Sequence, residues 1–467
     1  MNTKRIELLS KEPVTKAILT MSIPVVMGMM IQVLYNLVDT FFIGILGDPN
    51  QLAAVNLTTP IFMLMMAIAG IVGTGASSYI SRCLGEKDYE KANKTLSTGI
   101  AICIGLGFIV MIVGSIFITS IARSLGASNA TYPAVLAYSI VLLLGAVPIM
   151  CNFAIGQLLR SEGAAMGAMM GMLIGTVGNI ILDPIFIFGF GLGIQGAAIA
   201  TVLGNAMGLV YYIYYIASGK SFVKFKIKCI SLDQQIWKQI FVIGTPATIS
   251  QMLMGAAMVL CNNLAVQYGD VVVAGMGVAA KIMTIGTFVF MGFAAGCQPI
   301  VGYNYGAKNF HRMKEVIVKG MLMTSGIGIV LTILFGIFAR NLIGVFTPLN
   351  DVVLQGTTIL RALIWSLPFL GAQMIANTTV QSMGKAGASL FLSITRQGVF
   401  YIPLLLTLNH LFEFKGLIYA QPLSDIMTLA LSLTVLAAII KNSITQSNRD
   451  TVLNSENQSS ILSTDII

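Results

Sequence analysis

The stretch Ile23-Pro-Val-Val-Met-Gly-Met-Met-Ile-Gln-Val-Leu-Tyr-Asn-Leu-Val-Asp-Thr-Phe-Phe-Ile-Gly44 decides the fold. It is apolar for the length that an α-helix needs to cross a bilayer, and it carries a carboxylate. Gln32, Tyr35, Asn36 and Asp39 follow one another at i, i+3, i+4 and i+7, so they share one helical face and leave the others to lipid or to neighbouring helices. An Asp at the centre of a membrane helix costs about 2.5 to 3.5 kcal/mol on translocon scales and commonly marks an ion or substrate path. The polar face is therefore expected to line something wet.

Composition agrees with a membrane protein. Hydrophobic residues make up 56% of the 467 and charged residues 10%, too few to cover a soluble surface of this size. Repeated apolar runs of helical length, without the ten-residue alternation of barrel strands, select an all-α bundle. The net charge of +9 would suit a nucleic-acid partner, but the basic residues sit in alternate loops. With the N-terminus inside, Arg123, Arg340 and Lys415 fall outside, and Lys281, Arg361 and Arg396 fall within apolar runs. The other 21 of the 27 lie on the inner side. This is the positive-inside pattern, and it places both termini in the cytoplasm of a multi-pass protein of the cell's inner (plasma) membrane, with no nucleic acid involved.

Working outward, residues 1–16 form a charged cytoplasmic lead, and 17–218 hold six apolar runs. A basic cytoplasmic linker, 219–235, precedes six more runs in 236–440, and the polar tail 441–467 is expected to be disordered. The first run is too long for a cleaved signal peptide and is expected to act as a signal anchor. The halves look like copies. Gly85-Glu-Lys-Asp-Tyr-Glu-Lys91 returns as Gly306-Ala-Lys-Asn-Phe-His-Arg312, and Pro24, Pro148, Pro184 and Gly196 pair with Pro246, Pro368, Pro403 and Gly416 at shifts of 219 to 222. Even numbers of spans make the repeats parallel. The expected architecture is twelve transmembrane helices in two six-helix lobes, related by a pseudo-two-fold along the membrane normal, with substrate between them.

Three acids lie deep in apolar runs: Asp39, Asp183 and Asp425. Asp39 and Asp183 come at similar depth on helices of one lobe, Thr176, Asn179 and Asp183 share a face, and Thr201 and Asn205 form a second polar pair. These groups suit a coupling cation: hard oxygen ligands suit Na⁺, and a desolvated carboxylate suits H⁺. Asp39, Asp183, Asn179 and Thr201 are assigned to the coupling ion. Gln32, Tyr35, Asn36, Asn152, Asn205, Gln373 and Asn377 are assigned to substrate. Pro24, which removes a helical donor, is assigned as a hinge. In the second half Lys281, Arg361 and Arg396 are read as buried cations, and Asp425, at the repeat position of Asn205, is available to neutralise one of them.

The six cysteines are scattered without a Cys-x-x-Cys pair and read as buried packing residues. Abundant glycine and methionine read first as close helix packing and gap filling. No Gly-x-x-x-x-Gly-Lys-Ser/Thr loop, His-Glu-x-x-His zinc motif or Gly-x-Gly-Asp protease motif occurs, which disfavours an ATPase, a zinc enzyme and an intramembrane aspartyl protease.

Two copies of six spans, Val38-Asp39-Thr40 before Gly44-Ile-Leu-Gly47, and Gln157-Leu-Leu-Arg160-Ser-Glu-Gly163 together resemble the multidrug and toxic compound extrusion (MATE) family, its bacterial multidrug branch in particular. The resemblance implies two lobes forming a V and antiport of organic, mostly cationic drugs against H⁺ or Na⁺, by a transporter that is not an enzyme and has no cofactor. It further implies that acids matching Asp39 and Asp183, with Asn179 and Thr201, bind the coupling ion and that helix 1 bends at Pro24. A monomer is expected. Other members use an acid on helix 7 and another on helix 10, where this chain has Asn262 and Asn263 and no mid-helix acid. The rival reading is a lipid-linked sugar flippase of the same superfamily, which the cations of the second half favour and Asp39 and Asp183 oppose.

Overall fold

A computed structural model describes residues 2–464, all of whose regular elements are helices. The side chains of residues 2, 3, 36, 37, 40, 49, 52 and 448–464 lie outside the described set. A short helix α1 (Asn2–Ser10) leads into α2 (Val14–Ile45), α3 (Pro49–Gly85), α4 (Tyr89–Ile116), α5 (Ile118–Ser124), α6 (Tyr132–Leu144), α7 (Ala146–Ser161), α8 (Ala165–Pro184) and α9 (Ile194–Ala217). After the linker come α10 (Gln234–Val266), α11 (Asp270–Gly306), α12 (Phe310–Ile337), α13 (Ala339–Phe346), α14 (Asn350–Leu363), α15 (Leu367–Ser382), α16 (Ala386–Ile394) and α17 (Ile402–Thr464). Ten described helical segments are long and apolar enough to cross a membrane, and the pair α6 and α7, bent by 55°, makes an eleventh. The last of the ten, Ala386–Ser447, breaks at the non-helical Glu413 and so provides two crossings. That accounts for the expected twelve. Helix α17 runs on through residues 441–464.

The internal copy is visible in the backbone. Asp88 caps α4 by accepting from the amide of Lys91, and Asn309 caps α12 by accepting from that of Arg312. The residues just before these caps, Lys87 and Lys308, share the left-handed conformation at φ 63° and 56°. A second match joins Gly193 (φ 53°, ψ −130°) to Glu413 (φ 51°, ψ −131°), each opening the sixth helix of its lobe. Glycine tolerates that conformation and a glutamate does not. The fold thus imposes one turn at both sites, and only the first lobe has the residue suited to it.

The lobes meet through glycines at the end that carries α1 and the basic loops. A Cβ on Gly75 would stand 1.9 Å from the Ile240 carbonyl oxygen, and one on Gly244 1.9 Å from that of Ile71. Gly85 backs onto the carbonyl of Tyr303 and Gly306 onto that of Arg82, a reciprocal pair across the pseudo-two-fold. Hydrogen bonds along this seam run from Ser78 Oγ to the Gln381 carbonyl (2.7 Å) and from Thr248 Oγ1 to that of Ala67 (2.8 Å). Towards the other end Leu34 and Phe41 of α2 and Met258 and Val266 of α10 are exposed.

Helix α1 clasps both lobes at the seam. Its Arg5 pairs with Glu162 (3.2 Å) in the first lobe, while Asn304 and Arg312 of the second lobe donate to the carbonyl of Leu9 (2.9 and 3.2 Å). Glu162 also accepts from Ser221 Oγ and from the amides of Phe222 and Val223, which fastens the linker. Its burial pushes the carboxyl pKa up to about 7, against the pull of these donors.

Two of the three cations read as buried are not: Lys281 and Arg361 are exposed, and only Arg396 is largely enclosed. An apolar run fixes the depth of a residue in the membrane but not the direction in which it points.

Because Glu413 holds a conformation that costs about 1 to 3 kcal/mol without glycine, Glu413→Gly should raise the thermal unfolding temperature of the purified protein in detergent. A lower temperature would mean that the glutamate side chain contributes more than the strain it carries.

Candidate functional site

The polar face of α2 meets α8 and α9 inside the first lobe. Close contact between α8 and α9 depends on glycine: a Cβ on Gly204 would lie 2.6 Å from the Gly175 carbonyl oxygen, and one on Gly175 2.9 Å from that of Gly204. This approach brings Asn179 Nδ2 to Thr201 Oγ1 (3.4 Å), and the same hydroxyl lies 3.3 Å from the Tyr35 phenol of α2. Asn205 Nδ2 donates to the Thr201 carbonyl (2.8 Å), and Asn152 Nδ2 from α7 donates to Asn205 Oδ1 (3.0 Å). Six of the residues assigned from sequence are joined here: Tyr35, Asn152, Asn179, Thr201 and Asn205 by hydrogen bonds, and Asp183 by its place on the face of Asn179. Asp39 stands one helical turn beyond Tyr35.

The acids are enclosed. Asp183 is 0% exposed and Asp39 9%. Asp183 is the penultimate residue of α8, which ends at Pro184, and there the backbone widens into a π turn over Ile185–Gly189, as expected where a ring displaces the helical ladder. It lies within electrostatic reach of Asp39. Among the described residues, neither Asp183 oxygen, nor Asp39 Oδ1, Asn179 Oδ1 or Asn152 Oδ1, has a hydrogen-bond donor. All five atoms are acceptors. A buried acceptor without a donor carries its full desolvation penalty, so a proton or a hard cation satisfies this set and an anion does not. No group of three or more His, Cys, Asp or Glu arranged to hold a metal occurs among the described residues.

The remaining assigned residues are elsewhere. Gln32 is half-buried on α2, and the Asn36 side chain lies outside the described set. Gln373 and Asn377 belong to α15 in the second lobe: Gln373 Oε1 is buried without a donor among the described residues, and Asn377 Oδ1 accepts from Ser389 (3.4 Å). Pro24 is buried within an unbroken α2, two residues from Val26, against which Gly292 of the second lobe packs. Sequence reasoning missed Tyr138, which is buried beside Asp39, Asp183 and Thr201. In an apolar run an aromatic residue gives no signal beyond packing.

The second lobe answers the same repeat positions differently. At a shift of 220, Thr176, Thr201 and Asn205 correspond to Arg396, Gln421 and Asp425. Arg396 Nε donates to Asp425 Oδ1 (3.3 Å), and Gln421 Nε2 reaches both carboxylate oxygens (3.2 and 3.1 Å). At a shift of 222, Gln32, Tyr35, Asn36 and Asp39 correspond to Met254, Ala257, Met258 and Cys261, an apolar face. One lobe supplies its own counter-charge. The other leaves its carboxylates open.

The family model MatE matches the chain twice, over residues 24–185 and 246–407. A protein of Staphylococcus aureus strain MSSA476 named multidrug export protein MepA is 34% identical over 442 residues, covering 94% of this chain and 96% of that protein. Among solved structures, a MATE in complex with MaL6 superimposes with a TM-score of 0.90 at 30% identity, over 94% of this chain and 99% of that one. A multidrug resistance MATE transporter of the MOP superfamily in an outward-facing conformation gives 0.89 at 29% identity, over 94% and 98%.

The contrast between lobes predicts opposite responses to substitution. Asp183→Asn removes a buried charge that has no partner and should leave the thermal unfolding temperature at pH 8 unchanged or higher. Arg396→Met strands Asp425 and should cost about 3 to 5 kcal/mol. If the melts came out in the reverse order, the assignment of open and closed sites to the two lobes would be wrong.

Proposed function

The chain belongs to the MatE family, and from that premise we propose that it is a secondary active multidrug transporter. It exports organic, mostly cationic compounds in exchange for H⁺ or Na⁺. The observation that carries this reading is the set of four buried acceptor oxygens without donors among the described residues, three on Asp39 and Asp183 and one on Asn179, which shares the face of Asp183. Such a set is stable in lipid only when something positive binds it or when its acids are protonated. It is suited to alternate between a cationic drug and a smaller cation.

The cycle follows from competition. With both acids ionised, the first lobe attracts a cationic compound towards Gln32, Tyr35 and the amides of Asn152 and Asn205. Entry of H⁺ at Asp39 or Asp183, or of Na⁺ held also by Asn179 and Thr201, neutralises the site and weakens that attraction. The two ligands therefore oppose each other's binding, and the ion gradient sets the direction of release. The seam carries α1 and the basic loops, so the positive-inside rule assigns it to the cytoplasm and the exposed ends of α2 and α10 to the outside. Both termini are then cytoplasmic, and the membrane is the plasma membrane. Pro24 lies where α2 leaves the seam, the position at which a bend would move the Asp39 segment without breaking the lobe contact. The protein acts as a monomer, since each chain brings both lobes.

Against the flippase reading, Arg396 is paired with Asp425 rather than left free.

Efflux of a cationic dye from proteoliposomes under an imposed H⁺ or Na⁺ gradient tests the proposal. Asp39→Asn and Asp183→Asn should each abolish gradient-driven movement in protein that folds normally, and Pro24→Ala should slow it. If both Asn variants pump like the parent while Asp425→Asn stops transport, coupling resides in the second lobe.

A further inference from the structure

On the flank of the second lobe, helix α12 and the last crossing of α17 leave a groove of about 440 Å³. Ile317, Val318, Met321, Leu433, Leu436 and Ile440 make its walls, and Lys314 and Lys441 stand at the end nearest the basic loops. The wall from Leu433 to Thr445 is ~18 Å long at the helical rise. The groove lies away from Asp39 and Asp183 and takes no part in the transport cycle above.

The two lysines differ from their neighbours. Arg312 is held by the α1 carbonyls of Leu8 and Leu9, and Lys319 pairs with Glu315 at 2.7 Å. Lys314 and Lys441 are exposed and have no acidic partner among the described residues. Single lysines at helix ends usually snorkel to water and need no ligand. Here two of them, from helices far apart in sequence, close the same end of one apolar channel at the membrane boundary. An apolar channel with a paired positive end matches a molecule with an alkyl chain and a negative head.

We propose that this groove binds an anionic phospholipid from the leaflet on the side of the basic loops. One acyl chain lies between α12 and α17, and the headgroup phosphate sits between Lys314 and Lys441. A zwitterionic lipid fills the channel equally well but offers those lysines no net charge. The preference for an anionic head therefore comes from the two lysines, and occupancy of the channel comes from its walls.

The test uses the full chain in phosphatidylcholine vesicles with a small fraction of phosphatidylglycerol bearing a photoactivatable acyl chain, and peptide mass spectrometry to locate the label. Label should concentrate in residues 317–321 and 433–445, and unlabelled phosphatidylglycerol should compete where phosphatidylcholine does not. Each lysine neutralised should lower labelling ~5-fold, so Lys314→Gln with Lys441→Gln lowers it ~25-fold. Ala437→Trp, which fills the groove and keeps both lysines, should remove the label while the melting temperature stays normal. Equal competition by phosphatidylcholine, or unchanged labelling in the double variant, would overturn the proposal. If the double variant does not fold, the competition experiment on the parent chain decides alone. The readout is binding, so its result is independent of whether the chain performs the antiport proposed above.

Discussion

An ionisable group in a membrane must find a partner, and the structure is organised by the place where that partner is lacking. In the second lobe Asp425 has Arg396 and Gln421. In the first lobe Asp183 and Asp39 have glycine-packed helices around them and, on three of their four oxygens, no donor among the described residues. Evolution of a stable fold alone would have removed such acids or paired them, because an unsatisfied buried carboxylate costs more than an apolar side chain of similar size. Their presence is the ground on which the coupling site is proposed in the first lobe.

Duplication explains how this difference arises within one architecture. The copies share turns, caps and seam glycines to the level of matching dihedral angles, as at Lys87 and Lys308 or Gly193 and Glu413. The scaffold is thus held in common while its polar positions are free to diverge. Thr176, Thr201 and Asn205 surround an open site, and their counterparts Arg396, Gln421 and Asp425 form a closed one. Among the described residues the seam glycines bring the lobes into close contact at the end that carries α1.

Much of this was legible in the sequence. Helical length and apolarity give the spans, the repeat shift gives the lobes, and the i, i+3, i+7 spacing of Tyr35 or Gln32 with Asp39, and of Thr176 with Asn179 and Asp183, gives the polar faces. What periodicity conveys less well is direction. Lys281 and Arg361 sit in apolar runs and yet are exposed, because hydropathy averages over all faces of a helix. Tyr138 was invisible because a buried tyrosine beside an acid has the same sequence environment as one in a core. The strain at Glu413 was recoverable only by setting it beside Gly193, since a glutamate in a loop announces nothing by itself.

If drug and coupling cation compete for one set of acceptors, drug binding displaces protons or Na⁺, and proton release measured as drug binds reports it. A cationic dye is added to purified protein in weakly buffered solution, with and without Na⁺, and the pH change is recorded against dye bound. Under competition the parent protein releases protons as dye binds, or its dye affinity falls as Na⁺ rises at constant pH, and Asp39→Asn with Asp183→Asn loses both effects. Dye binding that releases no proton and is indifferent to Na⁺ would contradict it.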